Sequence, residues 1–258
     1  MTNSVLYETE GAIAAITLNR PAALNSFDRE MRADLAAATA QARGDAGIRA
    51  VILTGAGRAF SAGADLKAGF KTGAEVERIV NEEYGPSLID ITEMEKPVIS
   101  AINGFAAGIG LSYALACDLS VMGENAFLLC PFGTIGLIPD GGSTWLLTHA
   151  AGYKNAYEMA VENERMPAAR CKELGLVNKV AADDELVETA REWAGRLAGK
   201  APLALARTKK MMRRTSTLSY AEAISAEAAL QRLCFDSADC KEGVTAFLEK
   251  REPRFTGS

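Results

Sequence analysis

The chain has 258 residues, 48% of them hydrophobic, and a net charge of −5. That length suits one large core, or a core with a helical appendage, and the acidic balance argues against a general nucleic-acid binder. A single histidine, His149, excludes a histidine-rich metal site and leaves acid–base chemistry to carboxylates, backbone dipoles and bound water.

Residues 4–18 alternate and then run apolar around Gly11, which predicts a hairpin. Asn19–Phe27 is a loop punctuated by Pro21, and Asp28 is placed to cap a helix over about Arg29–Arg43. A buried strand follows at Ala50–Thr54, then a turn of small residues, A-F-S-A-G-A-D-L-K, at 59–67. The polar segment Ala68–Asn81 reads either as a helix entry or as a flap beside a site, with a helix over Glu82–Met94. Val98–Ile102 is a strand, and the glycine turn N-G-F-A-A-G-I-G at 103–110 opens a helix to about Cys117. Strands are expected at Asp118–Met122, Ala126–Phe132 and Leu176–Val180, with helices over Ser143–Ala150, from Lys154, and over Pro167–Leu174, the last stopped by Gly175. Beyond Asp183 only helices are expected, over 183–197, 201–213, 218–235 and 237–250. The pattern implies an α/β core over residues 1–197 and a helical region over 198–258.

Five cysteines, Cys117, Cys130, Cys171, Cys234 and Cys240, are scattered without C-x-x-C spacing. This fits a reducing compartment better than a disulfide framework or a zinc site. Residues 1–10 show no secretory signal and no apolar run is long enough for a bilayer, so a cytoplasmic protein without a membrane partner is expected. T-G-A-G-R-A-F at 54–60 falls one glycine short of a dinucleotide fingerprint. G-G-S-T-W at 141–145 is not a nucleophile elbow, because Trp145 stands where glycine must close the turn. The basic run at 206–215 reads as a solvated helix face with Leu205 and Met212 inward, and Cys130 as a packed thiol.

The two turns at 59–67 and 103–110 each follow a strand and precede a helical pattern, which leaves N–H groups aimed at whatever lies above the strands. Together with L-N-R-P-A-A-L-N-S-F at 18–27, K-P-V-I-S-A-I-N-G-F-A-A-G-I-G at 96–110, C-D-L-S at 117–120, G-L-I-P-D-G-G-S-T-W at 136–145, E-L-G-L-V-N-K-V at 173–180 and E-G-V-T-A-F-L-E-K-R at 242–251, the chain resembles the crotonase superfamily of enoyl-CoA hydratases and isomerases along nearly its whole length.

The resemblance implies a spiral of ββα turns with a C-terminal helical region that builds trimers or dimers of trimers. It implies an acyl-CoA thioester as ligand, with coenzyme A as part of the substrate and no separate cofactor or metal. By position, the thioester oxygen would accept from the backbone N–H groups of Ala62 and Ile109. Ala62, Gly63, Ala64, Asp65, Leu66 and Lys67 would line the CoA path, with Gly108 in the second turn. Phe247 and Lys250 would reach a neighbouring subunit's CoA, and Ala22 stands where a phosphate-binding lysine is often found. Two N–H donors, one at a helix N-terminus, stabilise an enolate oxygen without histidine or metal, each typically worth about 3–4 kcal/mol in the transition state.

The two glutamates used by hydratases of this family fall here on Ser112 and Phe132, so plain hydration loses both acid–base groups. Asp140 is the remaining carboxylate, at a place held by aspartate in relatives resembling phenylacetate-pathway isomerases. One carboxylate suffices to move a proton between two carbons of an enolate system. The expected activity is therefore enoyl-CoA double-bond isomerisation, with an acyl pocket shaped by Phe70, the 68–85 segment, Phe132 and Leu137. Alternatives are an enoyl-CoA hydratase, an aryl-CoA hydrolase or dehalogenase in which Asp140 is the nucleophile, and a non-catalytic acyl-CoA binder. A purely structural reading makes Asp140 an N-cap for the helix at 143.

Overall fold

The computed structural model describes residues 3–69 and 72–258. Strands β1 (Val5–Glu10) and β2 (Ile13–Leu18) form the expected hairpin. Parallel additions of β3 (Ala50–Gly55), β4 (Val98–Ile102), β6 (Leu119–Gly123) and β9 (Lys179–Ala181) complete a six-stranded sheet in the order β1-β2-β3-β4-β6-β9. A second sheet holds β5 (Phe105–Ala107), β7 (Phe127–Leu129) and β8 (Arg165–Pro167).

The chain visits the large sheet, then the small one, then a helix, and repeats. β4 and β5 lead into α4 (Ile109–Ala116), and β6 and β7 lead into α5 (Ser143–Glu162). In the two earlier turns of the spiral the second strand shrinks to single bridges. Ser61 pairs with Ala106 after β3, and Phe27 pairs with Ala64 before α1 (Arg29–Gly44). A full strand cannot form there, because Leu24 and Asn25 take left-handed φ values of 53° and 54° and the glycines at 57 and 63 also have positive φ. This is the ββα spiral with its strands worn down at the edge where the two candidate turns lie.

Parallel strands covered on both faces read as continuous apolar runs, as β3 and β4 do. One face packs on α1, whose Met31, Leu35, Ala38 and Ala42 form its buried stripe, and on α4, which is buried on nearly every side. The other face takes α7 (Leu186–Ala198), whose Leu186, Ala190 and Ala194 meet Ala50, Ile52, Ile99, Ala101 and Val121. Asp28 caps α1 through the Met31 N–H at 2.9 Å, as its place in the sequence predicts.

Several expectations need correction. The segment before residue 94 is helical from Gly73: α2 (Gly73–Arg78) runs through a π-helical turn, Ile79–Tyr84, into α3 (Gly85–Glu93). The two helices expected over Ser143–Ala150 and from Lys154 are present, parted as expected by non-helical backbone at Gly152 (φ 75°), and share the one label α5. β7 ends at Leu129, and Phe132 opens a 3-10 turn, Phe132–Ile135. β9 begins at Lys179, since Leu176 and Val177 pack into the core without joining the sheet. α6 (Ala168–Glu173) lies between β8 and β9.

The C-terminal part is helical, with α8 (Pro202–Arg214), α9 (Tyr220–Phe235) and α10 (Ala238–Glu249). The basic run on α8 is not a solvated face. Lys209 and Arg213 converge on Asp118 at 2.7 and 2.8 Å, and Asp118 also accepts the Val98 N–H at 2.9 Å. Met211 and Ala206 are the buried apolar residues of this helix, while Met212 is 68% exposed. Asp118 thus ties α8 to the start of β4. Among the described residues no helix is long and apolar enough to cross a membrane.

Candidate active site

The two turns are sewn together by backbone. Ser61 N–H donates to the Phe105 carbonyl at 3.1 Å, and Ala107 N–H donates back to the Ser61 carbonyl at 2.9 Å. Ser61 Oγ donates to the Asn25 carbonyl at 2.8 Å and accepts the Gly63 N–H at 3.1 Å, so the turn is held from inside as well. Gly63 has φ 93°, and a Cβ on it would stand 2.8 Å from the Ala107 carbonyl oxygen. A Cβ on Gly108 would stand 3.6 Å from the Gly63 Cα, so the turns touch at these two glycines.

This lacing decides which N–H groups remain free. Ala62 N–H donates to the Leu24 carbonyl at 2.9 Å, so the expectation that it faces the ligand is incorrect. The neighbouring pair of bonds, Phe27 N–H to the Gly63 carbonyl at 2.8 Å and Asp65 N–H to the Phe27 carbonyl at 3.0 Å, passes over Ala64. Among the described residues the Ala64 N–H has no acceptor. Ile109 is the first residue of α4, so its N–H lies outside the helix ladder, and its helical backbone suits a β-branched side chain. Each free N–H therefore follows one of the two touching glycines. The sequence identifies the turn but not the donor within it. What selects Ala64 is the left-handed backbone at Leu24, which aims a carbonyl at Ala62.

Asp65, expected along the ligand path, is engaged by protein. It accepts Lys67 N–H at 3.2 Å and pairs with Arg20 at 3.2 Å, while Arg20 also reaches Asp28 at 3.0 Å. Arg20 thus fixes the first turn against the loop before α1, a role its place in L-N-R-P hinted at only weakly. Ala22 lies exposed on a 3-10 turn, Pro21–Ala23, and Leu66 and Lys67 are exposed. Phe247 is 83% exposed on α10, and Lys250 is an exposed left-handed cap at its end. Phe70 lies outside the described residues, and Leu137, expected in the acyl pocket, is about half exposed.

Asp140 sits where α4 and α5 meet. Its carbonyl accepts Ser112 Oγ at 2.9 Å, Ser143 Oγ at 2.8 Å and Ser143 N–H at 3.0 Å. The helix is therefore capped by the main chain of this residue, with Gly142 at the N-cap position and no side-chain cap. The carboxylate is left for other work. Its Oδ1 is enclosed and has no hydrogen-bond partner among the described residues. Burial pushes the carboxyl up to about 6, against a smaller lowering by a backbone hydrogen bond. Ser112 is fully buried, spent on holding the Asp140 carbonyl, and Phe132 is nearly so, its ring edge next to Gly108. Cys130 is a buried thiol pushed up to about 11 by burial and then by Asp140, which agrees with a packing role. His149 is exposed, hydrogen-bonded to the Trp145 carbonyl at 2.8 Å and stacked on the Trp145 ring. Among the described residues no cluster of candidate metal ligands occurs.

The sequence profile of the enoyl-CoA hydratase/isomerase family matches residues 8–258. The chain belongs to that family. It is 39% identical over 255 residues to a probable enoyl-CoA hydratase of Rhodobacter capsulatus, covering 99% of this chain and 98% of the relative. It is 38% identical to the 1,2-epoxyphenylacetyl-CoA isomerase of Escherichia coli, covering all of both chains. An enoyl-CoA hydratase subunit I from Geobacillus kaustophilus has a similar structure, with a TM-score of 0.93 at 36% identity over 99% of this chain and 98% of that one. An acyl-CoA-processing enzyme of the enoyl-CoA hydratase/isomerase family, with that family's fold, is therefore established here, while the relatives carry both hydratase and isomerase names.

Proposed function

We propose that this family member is an enoyl-CoA double-bond isomerase. The observation that carries the reading is the enclosed Asp140 carboxylate oxygen, unpaired among the described residues, in a site whose two hydratase glutamate positions hold Ser112 and Phe132. Ala64 and Ile109 donate their free N–H groups to the thioester oxygen. Ionised Asp140 takes a proton from the α-carbon, and the C–H electron pair spreads through the enolate to that oxygen. The same proton returns to the γ-carbon as the double bond moves into conjugation, and Asp140 ends ionised as it began. Two preorganised N–H donors stabilise the developing oxyanion, and a carboxyl pushed up to about 6 is a stronger base than an ordinary one while remaining mostly ionised at neutral pH.

Hydration would need a carboxylate to activate water, and neither Ser112 nor Phe132 supplies one. A nucleophilic Asp140 would need a base for its ester, and His149 is turned to Trp145. We also assign the exposed Phe247 and Lys250 to a neighbouring subunit's CoA in a trimer or dimer of trimers. The exposed apolar side chains of Phe235, Val244 and Leu248 on the C-terminal helices support such packing.

Incubation with a panel of 3-enoyl, 2-enoyl and arylacetyl-CoA esters in deuterated water tests the assignment. Exchange at the α-carbon and a Δ3 to Δ2 shift are expected. Efficient hydration without any shift would overturn the assignment, and binding without exchange would make the protein a non-catalytic binder.

A further inference from the structure

Asn25 is fully buried, and its backbone is left-handed with φ 54°. Asparagine is among the few residues with a Cβ that take this conformation readily. Its side chain is spent on main chain. Nδ2 donates to the Ala56 carbonyl at 2.9 Å and to the Ala59 carbonyl at 2.7 Å, and Oδ1 accepts the Arg20 N–H at 2.9 Å. These partners fix the orientation of the amide, since a flipped amide would press its oxygen against two carbonyls. They also explain the residue type, because an aspartate of the same shape has no donors for those carbonyls. The two donated bonds grip the chain on both sides of Gly57, where it turns with φ 75° from β3 toward the first turn of the cradle.

The main chain around Asn25 decides which N–H of that turn stays free. The Leu24 carbonyl takes the Ala62 N–H at 2.9 Å, and the Phe27 carbonyl takes the Asp65 N–H at 3.0 Å. The Asn25 carbonyl acts one step removed. It takes the Ser61 Oγ proton at 2.8 Å, which turns an Oγ lone pair to the Gly63 N–H at 3.1 Å. Residues 24–27 are therefore a template that occupies each N–H beside that of Ala64 and leaves Ala64 without an acceptor among the described residues. Such a template works only while it stays in register with the turn. Arg20, bound to Asp65 and Asp28, ties one end of it from a partly exposed position. The Asn25 amide ties the other end, out of water.

We propose that Asn25 is a positioning residue for the oxyanion donor: its side-chain amide locks the 24–27 template against the first turn and so holds the Ala64 N–H on the thioester oxygen. A donor of this kind stabilises the developing charge because it is in place beforehand, and removing one typically costs about 10²- to 10³-fold in kcat. The proposal rests on the reading that the cradle grips the thioester oxygen, but not on which reaction follows.

Butanoyl-CoA carrying carbon-13 at the thioester carbonyl is the probe, read at saturation by isotope-edited infrared difference spectra. In the wild type the stretch of the bound carbonyl is expected below that of the free ester. Asn25→Gly keeps the left-handed backbone and the main-chain bonds of residue 25 and deletes the side-chain ones. It is expected to lose about half or more of that lowering, and to reduce kcat of the Δ3 to Δ2 shift by about ten- to a hundredfold with KM changed less than about threefold. A merely structural Asn25 would change the folded fraction and leave the stretch of the bound ester where it was. A wild-type stretch in the variant would therefore overturn the proposal, whatever the variant's stability. No lowering in the wild type would refute the grip of the cradle and the role of Asn25 with it. A lowered stretch without any double-bond shift would sink the isomerase reading alone, and the spectra would still decide on Asn25. If Asn25→Gly does not fold, Asn25→Asp, which keeps the shape and the acceptor for the Arg20 N–H, is judged by the same comparison.

Discussion

The backbone cradle at Ser61–Ala64 and Ala106–Ile109 differs in kind from the wall that holds Asp140. In the cradle, side chains are mostly small and, among the described residues, only the Ala64 and Ile109 N–H groups are left without an acceptor. In the wall, one oxygen of the Asp140 carboxylate is enclosed and, among the described residues, unpaired. A cradle of this kind fixes a thioester oxygen whatever the acyl group and whatever follows enolate formation. In the proposed function the reaction is set by the wall. The closeness of relatives named hydratase and isomerase fits this division, because chains that keep the cradle are free to differ in the wall.

Removing the wall's base gives the largest expected effect. Asp140→Asn should lower kcat for the Δ3 to Δ2 shift by about 10³- to 10⁴-fold, the upper range for a general base, with thioester affinity kept by the intact cradle. Binding measured by calorimetry beside single-turnover kinetics checks the split, and unchanged turnover would refute the assignment. The converse change, Ser112→Glu, should yield at most weak hydration, since Phe132 still leaves the second carboxylate absent.

Breaking the cradle should instead harm binding and folding together. Gly104 has φ 65°, and a Cβ there would fall 1.9 Å from the Arg58 carbonyl oxygen, a main-chain atom unable to swing aside. Gly104→Ala should cost about 3–4 kcal/mol, from overpacking plus left-handed strain. It should also weaken binding of every CoA ester alike, because it separates the two turns. Urea unfolding and a CoA-ester panel measure both losses.

The Asp118 anchor lies outside this contrast and calibrates it. Asp118→Asn removes the charge that holds Lys209 and Arg213, and burial already lowers the Lys209 pKa. The expected loss is about 2–3 kcal/mol, below the range for fully buried pairs because Asp118 is 17% exposed. Denaturant midpoints measure it, and activity per folded molecule should change little.

The cradle was legible in the sequence because it is written in strand–turn–helix pattern and in glycines, both of which report main-chain geometry. The strands at Val98–Ile102 and the helices after Asp183 were legible for the same reason. The donor was not, since the choice of Ala64 over Ala62 depends on where the Leu24 carbonyl points, forty residues away in sequence. Asp140 could be singled out by elimination, as the carboxylate left when Ser112 and Phe132 occupy the glutamate positions. The basic run on α8 was misread because a helical pattern alone does not reveal a buried counter-charge such as Asp118.

The smallest effect is a pH signature of Asp140. Its carboxyl is raised to about 6 in the folded protein, above the usual value near 3.9 of an unfolded chain. A raised carboxyl favours the native state fully below pH 3.9, and that advantage is lost as pH rises through about 6. Above that, ionised Asp140 burdens the fold by about 1–2 kcal/mol, once its partial exposure is discounted. Asp140→Asn should therefore be more stable than the wild type at pH 8 by about that amount, with the difference closing toward pH 4. The same titration runs through catalysis in the opposite sense. The base must be ionised, so kcat/KM should fall as pH drops below about 6. The neighbouring acids do not confuse the assignment: Tyr84 is pushed up to about 12, Cys130 to about 11, and Tyr113 is also raised by burial, so all stay neutral in this window. Denaturant melts of both proteins from pH 4 to pH 8, beside the pH–rate profile, put one group on two independent curves. A variant less stable than the wild type at pH 8, or a rate profile flat through pH 6, would mean that the Asp140 carboxylate is paired in solution and that the wall is not the unpaired surface the comparison requires.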